Sequence, residues 1–299
     1  MRKALLFFVL LHAFICPGQQ IPDSVFTYKA IVPAYSPLTG PVVMIDQAHF
    51  NFHRMDGRYR AFANVVREDG YQVIAGTAPF TADHLDQARI LVISNALGNN
   101  GPWVLPTAPA FTKEEATAVE NWVREGGSLF LIADHMPFGG AAARIGRVFG
   151  FNWVNGYAMR DDGSPERFWR AAGTLLDVPI TAGSRPEERI DSIAVFTGSA
   201  FLPPPAAIPV THFLDDYSIL LPEQAGQFSD TTAWIDGRYF TNGAMLEHGK
   251  GRVICFGEAA MFSAQLQGPQ LAPMGMNQPG AEQNPQFLLN IIHWLDRRL

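Results

Sequence analysis

The stretch SLFLIADHMPFGGAAARIG, residues 128–146, decides the fold prediction because a strand, a turn and the start of a helix follow one another within it. Its first residues, SLFLIA, are nearly all apolar, as in a strand buried on both faces. Asp134 and His135 come next, followed by a turn of small residues and a helix-like run. A strand that feeds a helix through a polar turn is the repeating unit of a parallel α/β sheet.

Strand-like and helix-like runs alternate on both sides of this stretch. Short apolar runs rich in β-branched residues predict strands, and apolar residues three and four positions apart predict helices. Gly70 is a stop signal, and Thr112 with Glu115 predicts a capping box. The alternation predicts an α/β protein with a mainly parallel, doubly wound sheet. The strands are PVVMID (41–46), YQVIAG (71–76), ARILVISNA (88–96), SLFLIAD (128–134) and one within GKGRVICFG (249–257); the helices lie in 57–70, 112–127, 141–150 and 284–299, the last with Asn284 as N-cap.

Between residues 151 and 235 the alternation stops. Pro, Gly and Asp become frequent, as in RDDGSPERF (160–168), and short runs such as SIAVFTGSAF (192–201) are typical of strands. We therefore predict a single α/β domain over residues 41–299 that carries an irregular, β-rich insertion at about 151–235.

The N-terminal sequence MRKALLFFVLLHAFICPGQQ has the pattern of a secretory signal. Arg2 and Lys3 form a charged region, and the apolar run that follows is too short to span a bilayer as a stable helix. We expect a signal peptide over residues 1–18, a lead-in over 19–40, and an exported protein, periplasmic or extracellular.

Two cysteines bear on this localisation. Lipid attachment at Cys16 is the disfavoured alternative to cleavage, because Ile15 is bulky where lipoprotein sites take a small residue. After cleavage Cys255 alone remains, so the exported chain has no internal disulfide. Cys255 lies in an apolar run, which predicts a buried, inert thiol.

The charge of the chain limits its partners. The 299 residues carry a net charge of −6 and no basic stripe, which argues against nucleic acid as a partner. No later segment is long and apolar enough to be a transmembrane helix. A small molecule or a carbohydrate is the ligand class that we expect, and the sequence specifies neither a cofactor nor an oligomeric state.

Polar side chains follow several of the predicted strands. Because ligands bind at the carboxyl ends of the strands in open α/β sheets, these residues form one candidate site. We predict catalytic roles for three of them and substrate contacts for five. The catalytic candidates are Asp134, His135 and Glu258; the substrate-binding candidates are Asp46, His49, Asn51, His53 and Asn95.

Each candidate also has a structural explanation. His49 and His53 are four residues apart, a spacing that suits a shared metal ion on a helix, but their segment is loop-like and lacks a third ligand. A metal for the site therefore stays unspecified. Asp134 or Glu258 could cap the helix that follows it, or Asp134 could orient an imidazole that acts as general base. Aromatic residues could stack on sugar rings or pack in the core; they are Trp103, Trp153, Tyr157 and Trp169.

Three well-known motifs are absent from the sequence. It contains no G-x-S-x-G elbow, so a serine α/β-hydrolase mechanism is unsupported. Neither a P-loop nor a G-x-G-x-x-G follows a predicted strand, which removes nucleoside-triphosphate and dinucleotide binding.

The succession PVVMIDQAHFNFH, ARILVISNALGNN, FTKEEATAVENWVREGGSLFLIADH, GKGRVICFGEAAMF and NPQFLLNIIHWL resembles the class I glutamine-amidotransferase-like superfamily. Within it, the chain is similar to a domain family without a settled activity, near the trehalose-utilisation-type proteins. The resemblance covers residues 40–150 and 235–299 and implies a flavodoxin-like three-layer fold. It places the nucleophilic cysteine of true amidotransferases at the turn that here holds Asp134 and His135, so glutamine hydrolysis through a thioester is not expected.

Two functions follow as hypotheses. The first is an exported hydrolase that acts on a small or carbohydrate-derived substrate, with Asp134, His135 and Glu258 in acid–base roles. The alternative is a non-catalytic module that uses the same rim to bind a ligand or a partner. Whether the chain is an enzyme stays open at this point, since a fold alone does not give a function.

Overall fold

The structure is a computed structural model, and it describes residues 20–164 and 167–299. The predicted signal peptide lies outside the described residues. The helices are α1 (Arg60–Glu68), α2 (Ala82–Leu85), α3 (Lys113–Glu125), α4 (Phe138–Val148), α5 (Pro179–Ala182) and α6 (Asn284–Leu295). The strands are β1 (Gln20–Pro22), β2 (Val42–Asp46), β3 (Gln72–Gly76), β4 (Ile90–Ser94), β5 (Ser128–Ile132), β6 (Asn152–Arg160), β7 (Arg167–Trp169), β8 (Ser192–Ala194), β9 (Gly198–Leu202), β10 (Ile208–Pro209), β11 (Tyr217–Leu221), β12 (Ala233–Asp236), β13 (Gly243–His248), β14 (Gly251–Phe256), β15 (Ala264–Gln267) and β16 (Ala272–Gly275).

A seven-stranded sheet forms the centre of the fold, in the order β10-β13-β14-β5-β4-β2-β3. The five strands from β14 to β3 are parallel to one another, while β13 and β10 complete the sheet in antiparallel fashion. Every residue of β4 and β5 is buried, as expected for parallel strands that are covered on both faces. The predicted α/β class with a mainly parallel sheet is confirmed.

Helices cover both faces of this sheet. Along β4, Ile90 and Val92 face a core that includes α1 and α6, whereas Leu91 and Ile93 face a core that includes α3 and α4. The alternation follows from the two-residue period of a strand. Helix α3 begins with the predicted capping box, in which Thr112 Oγ1 accepts from the Glu115 N–H at 3.1 Å.

Two local predictions near the C-terminus are wrong. Glu258 is followed by a single 3₁₀ turn (Ala260–Phe262) and then by β15, not by a helix, because the chain turns back to pair with β1 and β16. Asn284 is the first residue of α6 and Gln283 is its N-cap. The Asn284 amide instead binds Ala194, accepting from its N–H at 3.1 Å and donating to its carbonyl at 2.7 Å.

The region that interrupts the α/β alternation is rich in strands. It forms a four-stranded antiparallel sheet, β12-β11-β6-β9, and a two-stranded sheet, β7-β8. The lead-in contributes β1, which pairs with β15. Within the described residues, no helix is long and apolar enough to cross a membrane.

Candidate functional site

The carboxyl ends of four parallel strands carry most of the predicted site residues. Asp46 is the last residue of β2, and Asn95 directly follows β4. Asp134 and Glu258 follow β5 and β14 by two residues. The chain runs from β2 to β3 on one side and returns to β4 on the other, so a crevice opens between the ends of β2 and β4, where α/β proteins bind ligands.

The imidazole of His49 lies between two carboxylates. Its Nδ1 is 2.9 Å from both carboxylate oxygens of Asp46, and its Nε2 is 2.9 Å from Oε1 of Glu115. The rings of Phe80 and Phe111 pack against it, with centroids 4.7 and 4.6 Å away. Both ring nitrogens are therefore occupied by protein groups, and the linkage joins the loop after β2 to the first turn of α3.

The charges on either side of His49 determine its protonation. Burial alone lowers the pKa of His49, but the hydrogen bonds and negative charges of Asp46 and Glu115 outweigh burial and raise that pKa above its usual value. For Glu115, burial raises the pKa, while hydrogen bonds from Thr112, His49 and Phe80 outweigh it and lower the pKa. The charged forms of both partners are thus favoured together.

Two asparagines fix the backbone around these groups. Asn51 Nδ2 donates to Asp46 Oδ2 at 2.9 Å, and Asn51 Oδ1 accepts from the His49 N–H at 3.0 Å. Asn95 has a φ of +46°, a left-handed conformation that asparagine tolerates better than most residues. Its Oδ1 accepts from the Asp134 N–H at 2.9 Å, which joins the ends of β4 and β5.

His53 lies in a different environment from His49. Its side chain is buried against the ring of Tyr59 at 4.6 Å, and its Nδ1 has no hydrogen-bond partner among the described residues. Burial, with a smaller effect from the charge of Arg58, lowers the pKa of His53 to about 3, so the imidazole is neutral near pH 7. In residues 20–164 and 167–299, no three His, Cys, Asp or Glu side chains are grouped to hold a metal ion.

Asp134 is buried at the turn after β5. Its Oδ1 accepts from the His135 N–H at 2.7 Å. Burial raises the pKa of Asp134, although the positive charge of His135 and hydrogen bonds from His135, Asn95 and Ala259 act in the opposite direction. These contacts include none to the N–H groups of α4, so Asp134 does not cap the helix that follows.

His135 is half-buried, and a backbone carbonyl orients its ring instead of Asp134. Nδ1 lies 2.8 Å from the carbonyl oxygen of Met136, and it must donate because a carbonyl can only accept. Neutral His135 therefore keeps a lone pair on Nε2, which makes no hydrogen bond to the described residues. The ring stacks on Tyr157 with centroids 4.4 Å apart, and Phe138 and Trp103 lie at 5.9 and 6.5 Å.

The Glu258 carboxylate binds the backbone of the turn that follows it. Oε1 accepts from the Ala260 N–H at 2.6 Å and Oε2 from the Met261 N–H at 2.8 Å. Both contacts are those of a capping side chain at the start of a turn.

Sequence reasoning missed two residues of this rim, Glu115 and Tyr59. Glu115 was identified only for its capping box, and its contact with His49 spans 66 positions in the chain. The Tyr59 hydroxyl donates to the Ala259 carbonyl at 3.0 Å, and burial raises the pKa of Tyr59 well above its usual value. Ser94, at the end of β4, is buried beside that hydroxyl.

The fold and this rim define an α/β protein with buried polar groups at the carboxyl edge of a mainly parallel sheet. No protein-family model and no curated protein matches the chain. Among solved structures, it is similar to the mmIFT52 N-terminal domain, with a TM-score of 0.58 at 12% identity over 85% of this chain and 96% of that one. At that identity the similarity shows a shared fold.

Two further structures superimpose less well. A ThuA-like protein from Bacteroides uniformis gives a TM-score of 0.43 at 13% identity, over 90% of this chain and 94% of that one. A GMP synthase component from Thermoplasma acidophilum gives 0.37 at 12% identity, over 86% of this chain and 96% of that one.

Proposed function

We propose that this protein binds a small polar ligand at the carboxyl edge of its parallel sheet, with His135 as the central contact, and that it does not turn the ligand over. One observation carries the proposal. The carboxylates that the sequence offers for acid–base chemistry already accept hydrogen bonds from the protein: Asp46 from His49 and Asn51, Asp134 from the His135 backbone, and Glu258 from Ala260 and Met261.

The same reasoning separates His135 from His49. Both nitrogens of His49 face carboxylates, so it has no site left for a ligand without losing a buried partner. His135 keeps Nε2 for a ligand hydroxyl or amide. Tyr157 holds the His135 ring from behind, and Trp103 is half-buried beside it and has a flat apolar surface of the kind that packs against a sugar ring, which supports a carbohydrate as the ligand class.

Ligand screening of matched histidine variants tests the proposal. Thermal shifts of the purified protein are measured with neutral mono- and disaccharides, amino acids and nucleosides, and then repeated with His135→Ala and His212→Ala. His212 is exposed and serves as the control. We expect a compound that raises the Tm of the wild type and of His212→Ala but not of His135→Ala. Equal shifts in all three proteins would refute the site.

A hydrolase is the second candidate, and the tautomer of His135 favours it. The Met136 carbonyl holds the proton on Nδ1, so Nε2 is the basic nitrogen and could accept a proton from a water molecule. Chromogenic glycosides and esters test this function. Turnover that is present in the wild type and in His212→Ala but lost in His135→Ala would establish the hydrolase and overturn the binding-only function.

The architecture and the localisation belong to the same proposal. The parallel strands β3-β2-β4-β5-β14 follow the order 2-1-3-4-5, which supports a flavodoxin-like three-layer fold of the glutamine-amidotransferase-like kind.

Export of the protein is proposed from its N-terminal sequence. The intact mass of the protein recovered from the periplasm distinguishes a chain that begins at Gln19 from one that is lipidated at Cys16 and from an uncleaved chain.

A further inference from the structure

Arg58 lies in the loop that follows β2, at the carboxyl edge of the sheet, and its guanidinium is fixed in place. The guanidinium carbon lies 3.8 Å from the centre of the Phe52 ring, and Nη1 donates to the Phe52 carbonyl at 3.4 Å. Cation–π attraction holds a guanidinium over such a ring. The side chain is half-buried and Nε is fully buried, so a ligand can meet Arg58 only at its Nη2 edge, which makes no hydrogen bond to the described residues.

The charge of Arg58 has no counter-charge in the described part of the chain. Asp56, the one acidic residue of the segment 47–60, pairs with Arg54 at 3.3 Å. Burial lowers the pKa of Arg58, and no negative charge offsets that effect. The first turn of α1 begins two residues later with Arg60 and contains no acidic residue. In a chain with a net charge of −6, this part of the rim is therefore locally positive.

A row of aromatic side chains connects Arg58 to His135. The Phe52 ring that holds the guanidinium is 5.8 Å from the ring of Trp103, and the Trp103 ring is 6.5 Å from the imidazole of His135, measured between ring centroids. The buried ring of Phe138 contacts both ends of the row, at 5.7 Å from Phe52 and 5.9 Å from His135. Because Phe52 and Trp103 are only half-buried, a ligand at His135 can extend along them to Arg58.

We propose that the ligand bound at His135 carries an anionic group, a carboxylate or a phosphate ester, and that Arg58 binds this group. The inference rests on the function proposed above and adds the charge of the ligand to it. Nη2 of Arg58 donates to an oxygen of the anion, the Trp103 ring contacts the apolar part of the ligand, and Nε2 of His135 accepts from a hydroxyl or an amide. A hydrogen bond between two charged groups is stronger than a neutral one, so Arg58 selects an acid over its neutral parent compound.

Matched pairs of compounds test the charge of the ligand. The Kd values of galactose and sodium galacturonate, and of glucose and sodium glucose 6-phosphate, are measured with the purified protein by saturation-transfer NMR at constant ionic strength. We expect an acid to bind roughly tenfold or more tightly than its neutral parent, as a hydrogen bond to a charged group does. The comparison of galacturonate with glucose 6-phosphate then distinguishes a carboxylate from a phosphate ester.

Variants of Arg58 test whether its guanidinium causes the preference. Arg58→Gln should raise the Kd of the preferred acid to that of its neutral parent and leave the Kd of the parent unchanged, which also shows that the variant is folded. Arg58→Lys keeps the charge but loses the planar fork, so it should retain part of the preference. Arg147→Gln removes an exposed arginine from the last turn of α4, at the opposite edge of the sheet, and should leave every Kd unchanged.

Three results would overturn the inference. If acids and neutral parents bind the wild type equally and His135→Ala weakens both, Arg58 has no role, while the function proposed above is supported. If the Kd of the acid rises in Arg58→Gln but not in His135→Ala, Arg58 forms a separate anion site, and the function proposed for His135 fails as well. Absence of binding by both acids would show that Arg58 holds no anionic group at this rim.

Discussion

The imidazole of His135 and the ring of Tyr157 stack with their centroids 4.4 Å apart and their planes 10° apart. The two residues come from different parts of the fold. His135 follows the central strand β5, whereas Tyr157 belongs to β6 of the antiparallel sheet. The region that interrupts the α/β alternation therefore supplies a wall of the candidate site.

Replacement of Tyr157 tests this wall. Tyr157 is 4% exposed, so we expect Tyr157→Ala to lower the free energy of unfolding by about 3–5 kcal/mol, measured by urea denaturation. It should also abolish the ligand-induced Tm shift. Tyr157→Phe keeps the stack and loses the hydroxyl contacts to the Met136 carbonyl, at 3.5 Å, and to the Gly226 backbone, so it should cost about 1–2 kcal/mol, less than Tyr157→Ala, and retain binding. Equal losses in both variants would contradict a role for the stacked ring.

The His49–Glu115 pair gives a second prediction. Glu115→Gln replaces one of the two carboxylates that face the buried imidazolium with a neutral amide, and we expect the free energy of unfolding to fall by about 1.5–3 kcal/mol at pH 6. Glu114→Gln, at the adjacent exposed position, is the control and should change stability by less than about 0.5 kcal/mol.

The pH dependence of the pair has a defined sign. The pKa of His49 is raised from 6.5 in the folded protein. The stabilisation that protonated His49 gives to the fold is therefore complete below pH 6.5 and is lost as the pH rises through the folded-state pKa. The pKa of Glu115 is lowered from 4.5, so its contribution is present above 4.5 and is lost as the pH falls through its folded-state pKa. The difference in the free energy of unfolding between the wild type and Glu115→Gln should therefore be greatest between pH 4.5 and 6.5. A difference that grows above pH 8 would refute the charged pair.

How much the sequence predicts depends on the range of each interaction. The strand at residues 128–132 and the Thr112–Glu115 capping box were predictable because their signals lie within a few neighbouring residues. The placement of Asp46, Asn95, Asp134 and Glu258 at strand ends followed from the sheet topology.

The partners of those residues were not predictable in the same way. The contact between Glu115 and His49 depends on how α3 packs against the loop after β2, and that packing leaves no periodic trace in the sequence. The orientation of His135 depends on the Met136 carbonyl, which every residue type would provide at that position. Side-chain type indicates which chemistry is available, and tertiary packing decides which groups remain free for it.

We expect His53 to lower the free energy of unfolding in acid. Its pKa is lowered from 6.5 to about 3, so the unfolded chain binds a proton below pH 6.5 that the folded chain does not bind. Stability from this group is present above pH 6.5 and is lost as the pH falls toward 3, by up to about 1.4 kcal/mol per pH unit. His53→Phe keeps the packing against Tyr59 and should flatten this part of the profile, measured by urea denaturation from pH 7 to 4. His212→Gln is the exposed control; an unchanged slope in His53→Phe would show that the imidazole titrates freely.

Cys255 should be unreactive while the protein is folded. The thiol lies in β14 with no exposed surface, and burial raises its pKa well above the usual value, so almost no thiolate forms at neutral pH. In a Cys16→Ser background, a chromogenic disulfide reagent should modify no thiol in the native protein and one thiol in guanidinium chloride. The rate of modification in intermediate urea should follow the global unfolding equilibrium, because β5 and β13 cover β14 on both edges. Rapid modification without denaturant would mean that β14 opens locally, which would contradict its central position in the sheet.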